Sequence, residues 1–184
     1  MGKPFAFFGP TEHHFEMRGG FCMSVFAIVR EGGKVLLGKP QHHLRWASEW
    51  APNWRIYDPI SLAEEYRRWR FPSSYIAEGE APEETLRRVM EDQLGAKHYE
   101  VTTSTMKNYF GPSRRFAGEM HWDYCFLFQV KVPRVPDLPP WFSALEFRDP
   151  TLLKEIEFGS AQGALLNDIA APEPTPRPPE EGSL

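Results

Sequence analysis

Arg114 and Arg115 stand together in the stretch Phe110-Gly-Pro-Ser-Arg-Arg, which its Gly-Pro step marks as a loop. Adjacent guanidiniums in a loop between strands suit bidentate contact with phosphate, although an exposed pair with no ligand is the commoner outcome for such residues. A second concentration lies between residues 40 and 70. There Trp46, Trp50, Trp54, Tyr57, Tyr66 and Trp69 interleave with His42, His43, Arg45, Arg55, Arg67, Arg68 and Arg70. Trp, Tyr and Arg are the usual anchors of binding patches, so Trp50 and Arg70 are candidates to face a ligand or a second copy of the chain. The alternative is a cap packed on the core, with arginines stacked on rings. His13 and His14 form a possible metal pair, but no third ligand follows at a suitable spacing, so they read as solvated. Cys22 and Cys125 both sit in apolar runs and read as buried free thiols rather than a disulfide.

These side chains need elements to position them. The run Phe21–Arg30 is apolar almost throughout, as in a strand buried on both faces. Glu31-Gly-Gly-Lys34 is a tight turn, since glycine accepts positive φ, and 35–39 returns as a second strand. Ser61-Leu-Ala-Glu64 has the spacing of a capping box and predicts a short helix to about Arg68. A better-marked helix begins at Pro82: Glu83 and Glu84 complement its positive end, Gly95 ends it, and Leu86, Val89, Met90 and Leu94 give it an inward face. Glu83 and Glu84 read as a solvated first turn. Residues 99–105 and 107–110 look extended, and 121–132 alternates with period two, the clearest strand of the chain. A Pro-rich connection, an extended 142–147 and a helix over 160–169 follow. The expected organisation is an arm over 1–20, one domain over 21–170 containing the insert 40–70, and a Pro-rich mobile tail over 171–184.

Composition bounds the possibilities. A chain of 184 residues, 41% hydrophobic and 25% charged, can bury a real core. A formal net charge of -4 argues against general nucleic-acid binding. No apolar run approaches the roughly 20 residues that span a bilayer, and Phe5–Phe8 is too short for a signal core. A cytoplasmic location without a membrane partner is the expectation.

The order of hairpin, aromatic insert, turn, acidic-start helix and further strands resembles the Nudix hydrolase (MutT-like) family. That family's box opens on a glycine and has a glutamate after five residues. Seven residues later comes an arginine followed by another glutamate, then a Glu-Glu pair and a closing glycine. Here Ser74 stands at the opening position, preceded by Trp69-Arg-Phe-Pro-Ser, and Glu80, Arg88 and Gly95 fall at their places. The resemblance covers residues 20–132 well and 133–170 loosely. It implies an α/β (α+β) fold, an α/β/α sandwich with a mixed central sheet. It also implies hydrolysis of nucleoside-diphosphate-linked compounds with magnesium or manganese, and a bracing role for Glu80 and Arg88.

The departures fall on the acids that hold the cations in the family, whose positions carry Val89, Asp92 and Gln93. Valine supplies no ligand and glutamine no charge, whereas magnesium needs hard oxygen donors. Because the family often takes a further acid from outside the box, Glu119 and Asp123 are the candidate partners of Asp92. The three are the candidate catalytic groups, with Asp92 and Glu119 the candidate metal ligands. Glu91 is rotated about 100° from Asp92 on a helix, and Glu84 lies roughly 12 Å from it along the axis. Serines at 73 and 74 would suit the loop poorly if it needed positive φ. Three functions stand open: a divergent hydrolase with a weakened metal site, a catalytically inactive module binding a nucleotide-like small molecule, and a homodimeric interaction protein using the Trp-rich insert.

Overall fold

The computed structural model describes residues 21–41, 46, 50, 63–64, 67–112, 118–134, 137–159 and 162–169. The arm, most of the insert, the tail, and both Arg114 and Arg115 lie outside the described residues. So does most of the helix expected from Ser61, although 63–64 are helical.

The expected hairpin forms from β1 (Phe21–Glu31) and β2 (Lys34–Pro40). Gly32 and Gly33 make its turn at φ 54° and 79°, where a side chain would strain the backbone. The pair is hydrogen-bonded only at its closed end, Arg30 with Val35 and Glu31 with Lys34. Farther along, the strands separate and the segment 69–75 enters. Arg70 and Gly38 exchange both backbone hydrogen bonds at 2.9 Å, the Ala27 amide donates to the Pro72 carbonyl, and β3 (Ser73–Tyr75) pairs with Ser24–Phe26.

On its other edge β1 runs parallel to β5 (Met120–Lys131), with Cys22 opposite Asp123 and Ser24 opposite Cys125. β4 (Glu100–Pro112) covers β5 as the edge strand, and β6 (Phe142–Arg148) covers β2 at the opposite edge. The sheet order is β4-β5-β1-β2-β6, mixed as expected, with β3 off that path on β1. The two extended pieces expected at 99–105 and 107–110 are one strand, because β5 pairs continuously along both with an irregularity only at Val101/Thr103.

Strand alternation produces two apolar layers. Val25, Ala27 and Val29 of β1 and Phe128 and Val130 of β5 pack with Leu86, Val89, Met90 and Leu94, and with Trp46, Trp50 and Phe142. Phe26, Ile28, Cys125 and Leu127 face the other way, onto Phe71, Phe158, Leu165 and Ile169. The first layer holds α1 (Pro82–Arg88) and the second α2 (Leu166–Ile169), giving the sandwich. The helix expected over 160–169 is a 3-10 turn, Gln162–Leu165, followed by this single α turn. It is tied to β4 by Asp168, which accepts from Lys107 Nζ at 2.8 Å and Tyr109 Oη at 2.5 Å. Among the described residues no helix is long and apolar enough to cross a membrane.

Candidate functional site

The helix that follows β3 starts as expected. Ala81 is its extended N-cap and Pro82 occupies the first turn. The Glu84 carboxylate reaches back to accept from the Ala81 amide at 2.8 Å, so it caps the helix rather than only facing solvent. After Arg88 the α-helix widens into a π-turn over Val89–Gln93, with the Leu94 amide donating to the Val89 carbonyl at 3.1 Å. Such turns are rare and frequently mark functional sites. Gly95 then closes the element at φ 72°, its amide donating to the Glu91 carbonyl.

Glu80 and Arg88 form a buckle. Arg88 Nε donates to Glu80 Oε1 and Nη2 to Oε2, both at 2.9 Å, in the bidentate geometry that favours arginine. The same guanidinium donates to Ser74 Oγ at 2.9 Å and to the Tyr75 carbonyl at 3.0 Å, so it bolts β3 onto the helix. Glu80 also accepts from the Ala77 amide and the Thr85 hydroxyl. The hydrogen bonds from Arg88, reinforced by Thr85 and Ala77, outweigh partial burial and hold its carboxyl at about 2, well below the usual range. Ser73 and Ser74 lie in extended β3, so this segment makes no demand for positive φ there; that role falls on Gly79, at φ 84°.

Two of the three positions that carry acids in the box are buried here. Val89 is fully buried in the layer that also contains Trp46 and Trp50. Gln93 is fully buried too, and both ends of its amide are used by one residue of β3. Its Oε1 accepts from the Ser73 amide at 3.2 Å and its Nε2 donates to the Ser73 carbonyl at 3.0 Å. Asp92 is exposed, and its backbone carbonyl accepts from Trp141 Nε1 at 3.1 Å, which pins the helix end to the start of β6. The divalent cation that the resemblance implies requires several hard oxygen donors converging on one point. An aliphatic side chain, an engaged amide and one exposed carboxylate do not fit it.

Among the described residues Asp92 belongs to no group of three or more close donors. Asp123 projects from β5 on the side of Cys125 and Leu127, whereas the buried neighbours of Asp92 belong to the opposite layer. Glu119 lies half-buried just before β5. Among the described residues, the one group of three or more His, Cys, Asp or Glu donors close enough to share an ion is Cys22, His121 and Asp123.

A cleft opens beside the β3 segment. Its wall includes Ser24 and Phe26 of β1, Arg70, Ser73–Tyr75, Tyr109 of β4, Asp123 and Cys125 of β5, Gln162, Trp46 and Trp50. Gln162 mirrors Gln93 from the other layer: its Oε1 accepts from the Phe71 amide at 2.9 Å and its Nε2 donates to Ser73 Oγ at 3.3 Å. Two buried amides thus clamp the cleft's central strand. Arg70 is only 2% exposed, so its charge is held within the wall. Trp46 and Trp50 are buried as well, so Trp50 is part of the packed wall and not an exposed ring. The Arg88 guanidinium lies 5.5 Å from the centre of the Trp50 ring. Burial first, then the hydrogen bond from its hydroxyl to Asp168, pushes the Tyr109 phenol well above its ordinary value. Burial likewise raises the Cys125 thiol, to about 12.

With this geometry in hand, three-dimensional comparison places the chain among MutT-like structures. It is similar to the MutT protein from Methanosarcina mazei Go1 (12% identity, TM-score 0.54), over 84% of this chain and 96% of that one. It is similar to the MutT protein, family Nudix hydrolase, from methicillin-resistant Staphylococcus aureus 252 (13% identity, TM-score 0.50), over 82% and 95%. It also resembles a UDP-X diphosphatase (15% identity, TM-score 0.51), over 80% of this chain but only 62% of that one. No family sequence model and no curated protein sequence matches the chain. At such identities the likeness shows the fold, and the fold is the Nudix-type α/β/α sandwich.

Proposed function

We propose that this chain binds a nucleotide-like small molecule, of the nucleoside-diphosphate-linked class, in the cleft beside β3. Cation-dependent cleavage on the box helix is not part of this reading. The observation that carries it is Gln93: where the family has a metal-binding carboxylate, a buried amide spends both its atoms on the Ser73 backbone. Val89 supports the same conclusion from the core. The cleft keeps what recognition needs, with the half-buried ring of Tyr75 open to it beside a wall backed by the buried Trp50 and Arg70. The relatives in three dimensions include a protein named as a UDP-X diphosphatase, which favours a diphosphate-linked ligand.

Calorimetric titration with ADP and UDP-glucose in excess chelator tests this. Saturable binding without any divalent ion is expected, weakened about tenfold when Tyr75→Ala removes a ring from the cleft wall. Binding that requires magnesium, or no binding at all, contradicts it. A second reading, slow hydrolysis with magnesium or manganese, draws its support from the exposed Asp92 carboxylate at the helix end.

A further inference from the structure

Cys22 on β1 and His121 and Asp123 on β5 converge at one end of the parallel strand pair. Asp123 lies directly opposite Cys22 in the register, and His121 is two residues earlier on the same strand, so it projects from the same face. His121 Nε2 lies 3.4 Å from Cys22 Sγ and 3.1 Å from Asp123 Oδ1, and the thiol itself contacts that carboxylate oxygen. One sulfur, one imidazole nitrogen and one carboxylate oxygen therefore face a common point. Around tetrahedral zinc, with Zn–S near 2.3 Å and Zn–N or Zn–O near 2.0–2.1 Å, such donors stand roughly 3.3–3.6 Å apart, a spacing that the two His121 distances approach and that the closer Cys22–Asp123 pair would reach by opening around the ion.

The same three residue types could instead suggest a nucleophilic cysteine with a histidine base and an orienting acid. The geometry excludes this arrangement. In such a triad the two ring nitrogens are divided between nucleophile and acid, whereas here the single atom Nε2 faces both Cys22 and Asp123.

We propose that Cys22, His121 and Asp123 form a zinc-type site with three protein ligands. Thiolate and imidazole select zinc or cobalt over magnesium, so this site is chemically distinct from the box position. The side chains of His121 and Asp123 remain 26% and 42% exposed, and Asp123 is part of the cleft wall, which leaves a fourth position for water or an oxygen of a bound ligand. The site does not depend on which ligand the cleft takes.

Cobalt titration of the chelator-stripped full chain is the test. One equivalent should bind with a sulfur-to-cobalt charge-transfer band and the intense visible bands of four-coordinate cobalt, releasing a proton as the thiol becomes thiolate. Cys22→Ser should abolish the charge-transfer band, while His121→Ala and Asp123→Asn should weaken binding about a hundredfold. Cys125→Ser should retain the band, and melting curves of the metal-free variants report whether each is folded. If Cys22→Ser does not fold, the His121 and Asp123 variants decide alone. Absence of saturable binding, unchanged affinity in those two variants, or a band lost with Cys125→Ser but kept with Cys22→Ser overturns the assignment.

Discussion

Restoring the glutamate that the Nudix box carries at position 89 should damage this protein rather than revive it. Val89 is fully buried, in a layer with Ala27, Leu86, Trp46, Trp50 and Phe142. The layer's described members are apolar, so a carboxylate placed there must remain protonated or force the layer open. Either outcome costs about 3–5 kcal/mol, as for an uncompensated buried charge, against a total stability of roughly 5–15 kcal/mol for a domain. Val89→Glu should therefore lower the melting temperature by about 10 °C or more. Gln93→Glu should act in the same direction with a smaller effect, about 2 kcal/mol. It replaces the Nε2 donor by a carboxylate oxygen facing the Ser73 carbonyl, so two acceptors meet where one hydrogen bond stood. Thermal melts with and without magnesium check both. A variant that melts normally, or that magnesium stabilises, would mean that the metal site is latent rather than dismantled.

The second large effect is expected at the buckle. Arg88→Ala removes four hydrogen bonds at once, two to Glu80, one to the Ser74 hydroxyl and one to the Tyr75 carbonyl. Both members of the ion pair are 23% exposed, so solvent screens part of their attraction, and the loss should be about 2–3 kcal/mol. The pH dependence identifies its source. Glu80 is held at about 2 in the fold against an ordinary 4.5, so its contribution is fully present above 4.5 and disappears as pH falls toward 2. Urea melts across this acid range should show the wild-type protein losing stability faster than Arg88→Ala, so that the difference narrows toward pH 2 to the part owed to the Ser74 and Tyr75 hydrogen bonds. A stability difference that stays constant through the acid range would place the effect of Arg88 in packing instead.

The features legible in the sequence are those whose physics is local. Gly32 and Gly33 announced a turn, alternation announced β5, and Gly95 announced the helix end, because each depends on backbone geometry or a short period. Glu80 and Arg88 were recognisable because both lie within one loop-and-helix unit, where spacing alone brings them together. Gln93 illustrates the limit. Its residue type indicated a lost charge, but its role as a clamp depends on Ser73, a partner on a different element. The π-turn was hidden for a similar reason, since Val89–Gln93 has ordinary helical spacing and the widening appears only in the packed structure. The Cys22, His121 and Asp123 group was the least accessible. His121 and Asp123 share a face by alternation, a signal present in the sequence, but Cys22 joins them only through the parallel register of β1 and β5. The resemblance makes Asp123 a candidate partner for Asp92, and the structure gathers it with Cys22 and His121 on the side of the other layer.

A hydrolysis panel decides most directly whether the box helix has left catalysis. Nucleoside-diphosphate-linked compounds would be incubated with the wild-type chain and with Asp92→Ala, in magnesium and in manganese. The expected result is that Asp92→Ala changes nothing: neither protein shows cleavage that depends on that carboxylate, while the ligands still bind. Turnover by the wild-type chain that Asp92→Ala abolishes would contradict the binding reading and return the helix to the role it has in the enzymes of this fold.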